Sequence, residues 1–315
     1  MNAMNVRDLL RKLTSLPVIT DGLAEDMLAG NFRSVFKGQG MEFDEARHYQ
    51  WGDDIRSIDW NASARFGTPF VKMYREEREI TILLLLDVSA SMKCNTKNLW
   101  QSECGAERKS ANVFEQALIT AALIAFSAER SGQRIGAFLF DQKIEKAFPP
   151  RKGRSNMLAF ISGALHYQKK SAPLESPQST KEFSSNIRAA VTGAEKILKR
   201  RSMVVLISDF LSTGWERELR DLCGRHDVIA VRVHEPLDDF PDMGLVTVED
   251  PETKVRIPAP TGSPSFRESW NQHRKDRSDL WHNLCRKAGA ARLELPSDAD
   301  AAAALKRFFG GRGGR

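Results

Sequence analysis

From Ile80 onward the chain alternates short apolar runs with longer stretches in which apolar residues recur at helical period. Strands are expected at 79–88 (EITILLLLDV), 134–141 (RIGAFLFD), 202–210 (SMVVLISDF), 227–233 (DVIAVRV) and 291–296 (ARLELP). Helices are expected between and after them, at 112–129, 156–167, 186–200, 214–225, 266–288 and from about 298 to 309. Runs such as Ile80–Leu86, broken only by Thr81, and Met203–Ile207 are continuous rather than alternating, which suits strands covered by helices on both faces. Strands alternating with helices give an α/β fold with a doubly wound, mostly parallel sheet. The helix at 112–129 (NVFEQALITAALIAFSAE) is apolar nearly all round and should be among the best buried.

Three stretches break the alternation. Residues 1–79 have a short amphipathic helix at Val6–Leu16, followed by glycine-punctuated, charge-dense sequence. A polar loop at 93–110 follows the first core strand, and 245–258 (LVTVEDPETKVRIP) reads as a β-hairpin turning at Asp250–Thr253. The organisation expected is an N-terminal module over 1–79 and a larger domain over 80–315, with the hairpin inserted and a basic tail at 310–315.

Composition narrows the class. With 41% hydrophobic and 28% charged residues in 315, the chain can bury a sizeable core. No apolar run approaches the roughly 20 residues that span a bilayer. The charge-punctuated start lacks a cleavable apolar stretch, so the expected location is the cytoplasm. Its four cysteines form no CxxC pair and no histidine stands near them at zinc spacing, so they are expected as free thiols. The net charge of +6 is spread through mixed-sign segments, and only the tail LKRFFGGRGGR is purely basic. Nucleic-acid binding is not expected, because no aromatic stacking platform and no recognised motif accompany the tail.

Candidate chemistry sits at strand ends. LLLLDVSASM places Asp87, Ser89 and Ser91 at the carboxyl end of the first core strand, and VVLISDF places Ser208 and Asp209 at the end of another. In doubly wound sheets the crevice beyond such ends binds ligands. A carboxylate with neutral hydroxyls suits a hard cation that keeps open positions. The competing reading of Ser89 or Ser91 is helix capping. The loop before the helix at 186 offers Thr180, Ser184 and Ser185, of which Ser185 stands just ahead of the helix.

The segment Glu42–Arg65 interleaves charges of both signs with Phe43, Tyr49, Trp51, Ile55, Ile58 and Trp60. Such interleaving suits a structural ion-pair network of Arg47, Asp53, Asp54, Arg56, Asp59 and Arg65. The alternative is a two-metal catalytic cluster around Asp53, Asp54 and Asp59, for which the adjacent arginines would compete.

The paired strand endings resemble a von Willebrand factor A domain with a metal-ion-dependent adhesion site. GMEFDEARHYQWGDDIRSIDWNASAR (40–65), followed by VKMYREERE, resembles the bacterial family known as domain of unknown function 58. FPPRKGRS, LISDFL and HDVIAVRVHEPLDDFPDMGLVTVEDPET extend that resemblance along nearly the whole chain. The resemblance implies an A-type fold and a Mg²⁺ or Mn²⁺ ion held by Asp87, Ser89, Ser91 and Asp209. Ser185 takes the place of the family's threonine, with Thr180 as second choice. It also implies a non-enzymatic binding adaptor working with a MoxR-type AAA+ ATPase on a client protein. The loop 93–110 and the stretch VHEPLDD depart from the family pattern. The rival function is a metal-dependent phosphoester hydrolase using Asp87 and Asp209. None of the six histidines adjoins the strand-end carboxylates in sequence, and His234 is the one worth testing.

Overall fold

The computed structural model describes residues 41–76, 80–93, 112–169, 185–236, 244–249 and 256–311. These form two compact units, one within Asn31–Glu79 and the other built from Ile80 onward. In the first, strands β1 (Met41–His48) and β2 (Phe70–Glu76) pair antiparallel, with a register shift between Phe43 and Glu45. A 3-10 turn (Ile55–Ser57) and helix α1 (Trp60–Phe66) lie between them in the chain. Gly67 ends α1 with φ of 70°, a left-handed position that suits glycine.

The second unit holds β3 (Thr81–Asp87), α2 (Ala90–Lys93), α3 (Val113–Arg130), β4 (Arg134–Phe140), β5 (Ile144–Arg151) and α4 (Arg154–Lys169). It continues with α5 (Ile187–Ile197), β6 (Met203–Ser208), α6 (Glu216–Arg225), β7 (Asp227–His234), β8 (Leu245–Glu249) and β9 (Arg256–Pro260). It ends with α7 (Pro264–Ala288), β10 (Ala291–Pro296) and α8 (Ala301–Gly310). Six strands make one sheet in the order β10-β7-β6-β3-β4-β5, in which only β5 runs antiparallel. This is the mostly parallel, helix-flanked α/β fold expected from the alternation. β8 and β9 pair antiparallel on their own, while residues 250–255 between them, the helix at Val6–Leu16 and the tail beyond 311 lie outside the described residues.

The central strand explains the topology. Leu83 to Leu86 have no exposed surface, so each side chain is worth about 2 kcal/mol of burial. Leu83 and Leu85 pack with Ala190 and Val191 of α5, Leu219 and Leu222 of α6, and Trp281 of α7. Strand alternation turns Leu84 and Leu86 to the opposite face, where α3 lies on β3, β4, β6 and β7. The chain leaves β3 toward β4 on one side and returns to β6 on the other. The sheet therefore switches direction at β3, and the carboxyl ends of β3 and β6 lie side by side at the place where doubly wound sheets bind ligands.

β5 was not among the expected strands. Its sequence IEKAFPPR carries two prolines and mostly exposed side chains, which an edge strand tolerates and a helical or alternating pattern does not reveal. It comes very close to β4 where their register slips between Ile135 and Ala137. A Cβ on Gly136 would lie 2.9 Å from the Phe148 carbonyl oxygen and from the nitrogen and Cγ of Pro150. Two of those atoms are backbone and cannot swing aside. Gly136→Ala should therefore cost about 1–3 kcal/mol, read as a lower urea midpoint at unchanged slope. An unchanged midpoint would refute the close approach.

Candidate functional site

Two local turns build the site. At the end of β3, the Ser89 amide donates to Asp87 Oδ1 at 2.9 Å, which folds the chain back on its own carboxylate before α2 begins. After β6, the Ser208 hydroxyl accepts from the Phe210 amide at 3.0 Å, and Asp209 Oδ1 accepts from the Leu211 amide at 3.1 Å. The two turns are then tied together, because the Ser208 hydroxyl donates to Asp87 Oδ2 at 2.7 Å. Ser89 and Ser91 meet hydroxyl to hydroxyl at 3.0 Å. Ser91 stands near enough to Asp209, and Ser185 to Asp87, to draw each carboxyl down. Ser185 is held there by its neighbour Asn186, whose amide donates to the Asp141 carbonyl at 2.7 Å and whose side chain caps α5.

The cluster is buried and negative. Asp87, Ser89 and Ser208 have no exposed surface, and Asp209 keeps 7%. Burial pushes the Asp87 carboxyl above the ordinary carboxylate range, while hydrogen bonds from Ser89, Ser208 and Ser185 pull it back. Burial, and next the charge of Asp87, push Asp209 up to about 6, with Ser91 acting against them. Asp141, which follows β4, is raised by burial and then by Asp87, and Lys93 opposes the rise. Burial in turn lowers the Lys93 ammonium, which Asp141 and Asp87 hold up.

Of the residues expected at the ion site, Asp87, Ser89 and Ser91 are joined by hydrogen bonds, and Ser185 and Asp209 stand close enough to feel the Asp87 carboxylate. Among the described residues neither Ser89 nor Ser91 accepts from an α2 backbone amide, so the capping reading finds no hydrogen bond there. Thr180 and Ser184 lie outside the described residues. Two further residues stand with them, Ser208 by a hydrogen bond and Asp141 by charge. Ser208 bridges both turns, and Asp141 adds a third strand-end carboxylate; FLFD carried the same signal as LLLLD, an isolated aspartate closing an apolar run. The donors are hard oxygens, and two buried carboxylates raise each other's proton affinity, which is the electrostatic setting that a hard divalent cation relieves. No group of three His, Cys, Asp or Glu among the described residues is placed to hold a metal, so a cation here would depend on the serine hydroxyls.

The expected ion-pair network of the first unit is smaller than six residues. Arg47 and Asp53 form a two-pronged pair at 2.6 and 2.8 Å. Asp54 and Asp59 instead accept from backbone amides at the starts of the 3-10 turn and α1, and Asp59 lies 3.8 Å from Lys72. Adjacent amides capture these carboxylates at no chain-closure cost, so Arg56 and Arg65 pair with no carboxylate among the described residues. His234 sits at the end of β7, 3.8 Å from Glu294. Cys223 and Cys285 are free, and burial pushes both thiols up to about 12; Cys94 and Cys104 lie outside the described residues.

A doubly wound sheet with an oxygen-rich cluster at its switch point defines a class of α/β protein whose ligands meet the strand ends. Residues 45–279 match the family described as Protein of unknown function DUF58, and the chain belongs to that family. The resemblance to that family carried by the GDDIRSIDW segment is thus borne out. Uncharacterized proteins of Mycobacterium tuberculosis and Mycobacterium bovis are each 30% identical over 303 residues, covering 95% of this chain and 88% of theirs. Among solved structures, a conserved hypothetical protein BatB from Bacteroides thetaiotaomicron is similar at TM-score 0.42 and 11% identity, covering 74% of this chain and 98% of that one. A von Willebrand factor type A structure from Catenulispora acidiphila is similar at TM-score 0.38 and 8% identity, over 78% of this chain and 44% of that one. No helix among the described residues is long and apolar enough to cross a membrane.

Proposed function

We propose that this protein is a binding adaptor whose strand-end cluster docks a carboxylate of another protein through a divalent cation, Mg²⁺ or Mn²⁺. The observation that carries the reading is the convergence of the Ser89 amide and the Ser208 hydroxyl on buried Asp87, with Asp209 at the neighbouring strand end raised by burial and next by the Asp87 charge. Asp87, Ser89, Ser91, Ser185 and Asp209 would hold the ion. When bound, the ion supplies a positive centre that an incoming Asp or Glu can ligate. The protein's own residues fix the two carboxylates through the Ser89 amide, the Ser208 hydroxyl and the Leu211 amide, so the docking position is shaped before a partner arrives. No GxxxxGK[ST] segment occurs in the sequence, so ATP-driven work would come from a partner, and a MoxR-type AAA+ ATPase acting on a client protein fits that need.

The test is a pull-down of a MoxR-type ATPase with wild type and Asp87→Ala, each in Mg²⁺ and in EDTA. Binding should be lost in the variant and in EDTA, by about 100-fold or more, as expected when a desolvated charged contact is removed. Binding that survives EDTA would overturn the docking reading. Phosphoester turnover that vanishes in Asp87→Ala would replace it with the hydrolase.

A further inference from the structure

We infer that the face of α7 beside the strand-end cluster, carrying Arg274 and Arg277, is a docking surface for an acidic segment of the partner protein. The inference rests on the proposed docking at Asp87 and names the chemistry of what docks.

Helix periodicity brings Arg274, Arg277 and Trp281 onto one stripe of α7. Trp281 fixes where that stripe lies. It is buried, its ring centroid is 5.6 Å from that of Phe210, the residue after Asp209, and the Arg232 guanidinium lies over it at 5.8 Å. One turn before Trp281 the stripe presents Arg277, whose positive charge acts on Asp209. Two turns before it, Arg274 Nη2 donates to the Glu235 carbonyl at 3.4 Å, at the rim just past β7. Both arginines are partly exposed.

The nearby carboxylate is already taken. Glu294 accepts from Arg232 at 3.1 Å, from Ser278 at 3.0 Å and bonds His282 at 3.2 Å, with His234 at 3.8 Å. Among the described residues, neither Arg274 nor Arg277 has a carboxylate partner. A surplus of guanidinium therefore borders a crevice that holds Asp87, Asp141 and Asp209. A partner segment with spaced acidic residues satisfies both features: one carboxylate enters the cluster and the others take the planar donor forks of Arg274 and Arg277. A peptide can bring a single carboxylate to the cluster and keep its others at the arginines, whereas the charges of a nucleic acid recur at a fixed short spacing along the whole strand, so the occupant is a protein segment.

The probe is a short fluorescein-labelled peptide of alternating glutamate and glycine, titrated with the full-length protein in Mg²⁺ and followed by anisotropy. Wild type should bind it with an affinity that falls as salt rises. Arg274→Glu with Arg277→Glu should weaken binding about tenfold or more, whereas the double lysine variant should keep most of it. Equal affinity in wild type and the double glutamate variant overturns the inference, as does a wild type that ignores the peptide or prefers a single-stranded oligonucleotide. Asp87→Ala separates the two readings. If it loses the peptide and the arginine variant does not, docking at Asp87 stands and the basic surface falls. If the arginine variant loses the peptide and Asp87→Ala does not, the basic surface stands and ion-mediated docking falls.

Discussion

Asp87→Asn is expected to make the metal-free protein more stable and to leave it indifferent to magnesium. The sign follows from the proton balance. Asp209 titrates at about 6 in the fold against an ordinary 3.8, so between those values the native state holds a proton that the unfolded chain has released. Its contribution to stability is fully present below about pH 4 and is lost as pH rises through about 6; the difference amounts to about 3 kcal/mol. The raised Asp87 carboxyl pushes in the same direction. Asparagine removes the charge that Asp209 feels while keeping the local bonds: its carbonyl accepts the Ser89 amide and its NH₂ donates to Ser208, whose hydroxyl oxygen has a lone pair to spare. Thermal unfolding in EDTA near pH 7.5 should show Asp87→Asn above wild type by about 1–3 kcal/mol, with a flatter profile between about pH 4 and 7. Adding Mg²⁺ at about 100 times its dissociation constant should raise wild type by about 2.7 kcal/mol and leave the variant unmoved. A variant less stable than wild type in EDTA would show that the cluster is not electrostatically strained.

Such a gain on losing a functional group is the usual trade at a binding site, and it bears on why the site was partly readable from sequence. Asp87 and Asp209 stood out because each closes an apolar run, where a charge has no local reason to be. Asp141 has the same signature in FLFD, but no serine pattern follows it, and a motif-led reading passed over it. Ser208 was visible as a neighbour of Asp209, yet its bond to Asp87 depends on β3 and β6 lying side by side, a pairing 121 residues apart in sequence. The fold was legible where burial on both faces forces continuous apolar runs. It was less legible at the edges: β5 is half solvated and proline-bearing, and the β1–β2 pair is hidden in charge-dense sequence. The carboxylates of the first unit misled for a related reason. Composition shows that Asp54 and Asp59 have arginines nearby in sequence, but only geometry shows that backbone amides reach them first.

Phe210 sets two large terms against each other, and their sizes decide an unusual ordering of variants. Its φ of 54° is left-handed, the one such non-glycine position among the described residues. For a bulky residue that conformation costs roughly 1–2 kcal/mol. What holds it there is packing: the ring is nearly buried, with centroids 5.4 Å from Trp215 and 5.6 Å from Trp281. Removing the ring should cost about 3–5 kcal/mol, which outweighs any relief, so both Phe210→Ala and Phe210→Gly should be strongly destabilised. Alanine keeps the left-handed strain and loses the packing that sustained it. Glycine sheds the strain but enlarges the unfolded ensemble, a penalty of about 0.5–1 kcal/mol. The strain term is the larger, so urea unfolding should place Phe210→Gly above Phe210→Ala by about 0.5–1 kcal/mol, the reverse of their order in a helix or strand. Finding alanine ahead would mean that Phe210 is not held left-handed in solution. Both variants should also weaken peptide and partner binding, because the Phe210 amide bonds Ser208 and the Leu211 amide bonds Asp209, so a relaxed turn releases the carboxylate that faces Asp87. The strain is thus stored at the residue that aims Asp209, and the aromatic packing that holds it, through Trp281, is also what sets the arginine face of α7 beside the crevice.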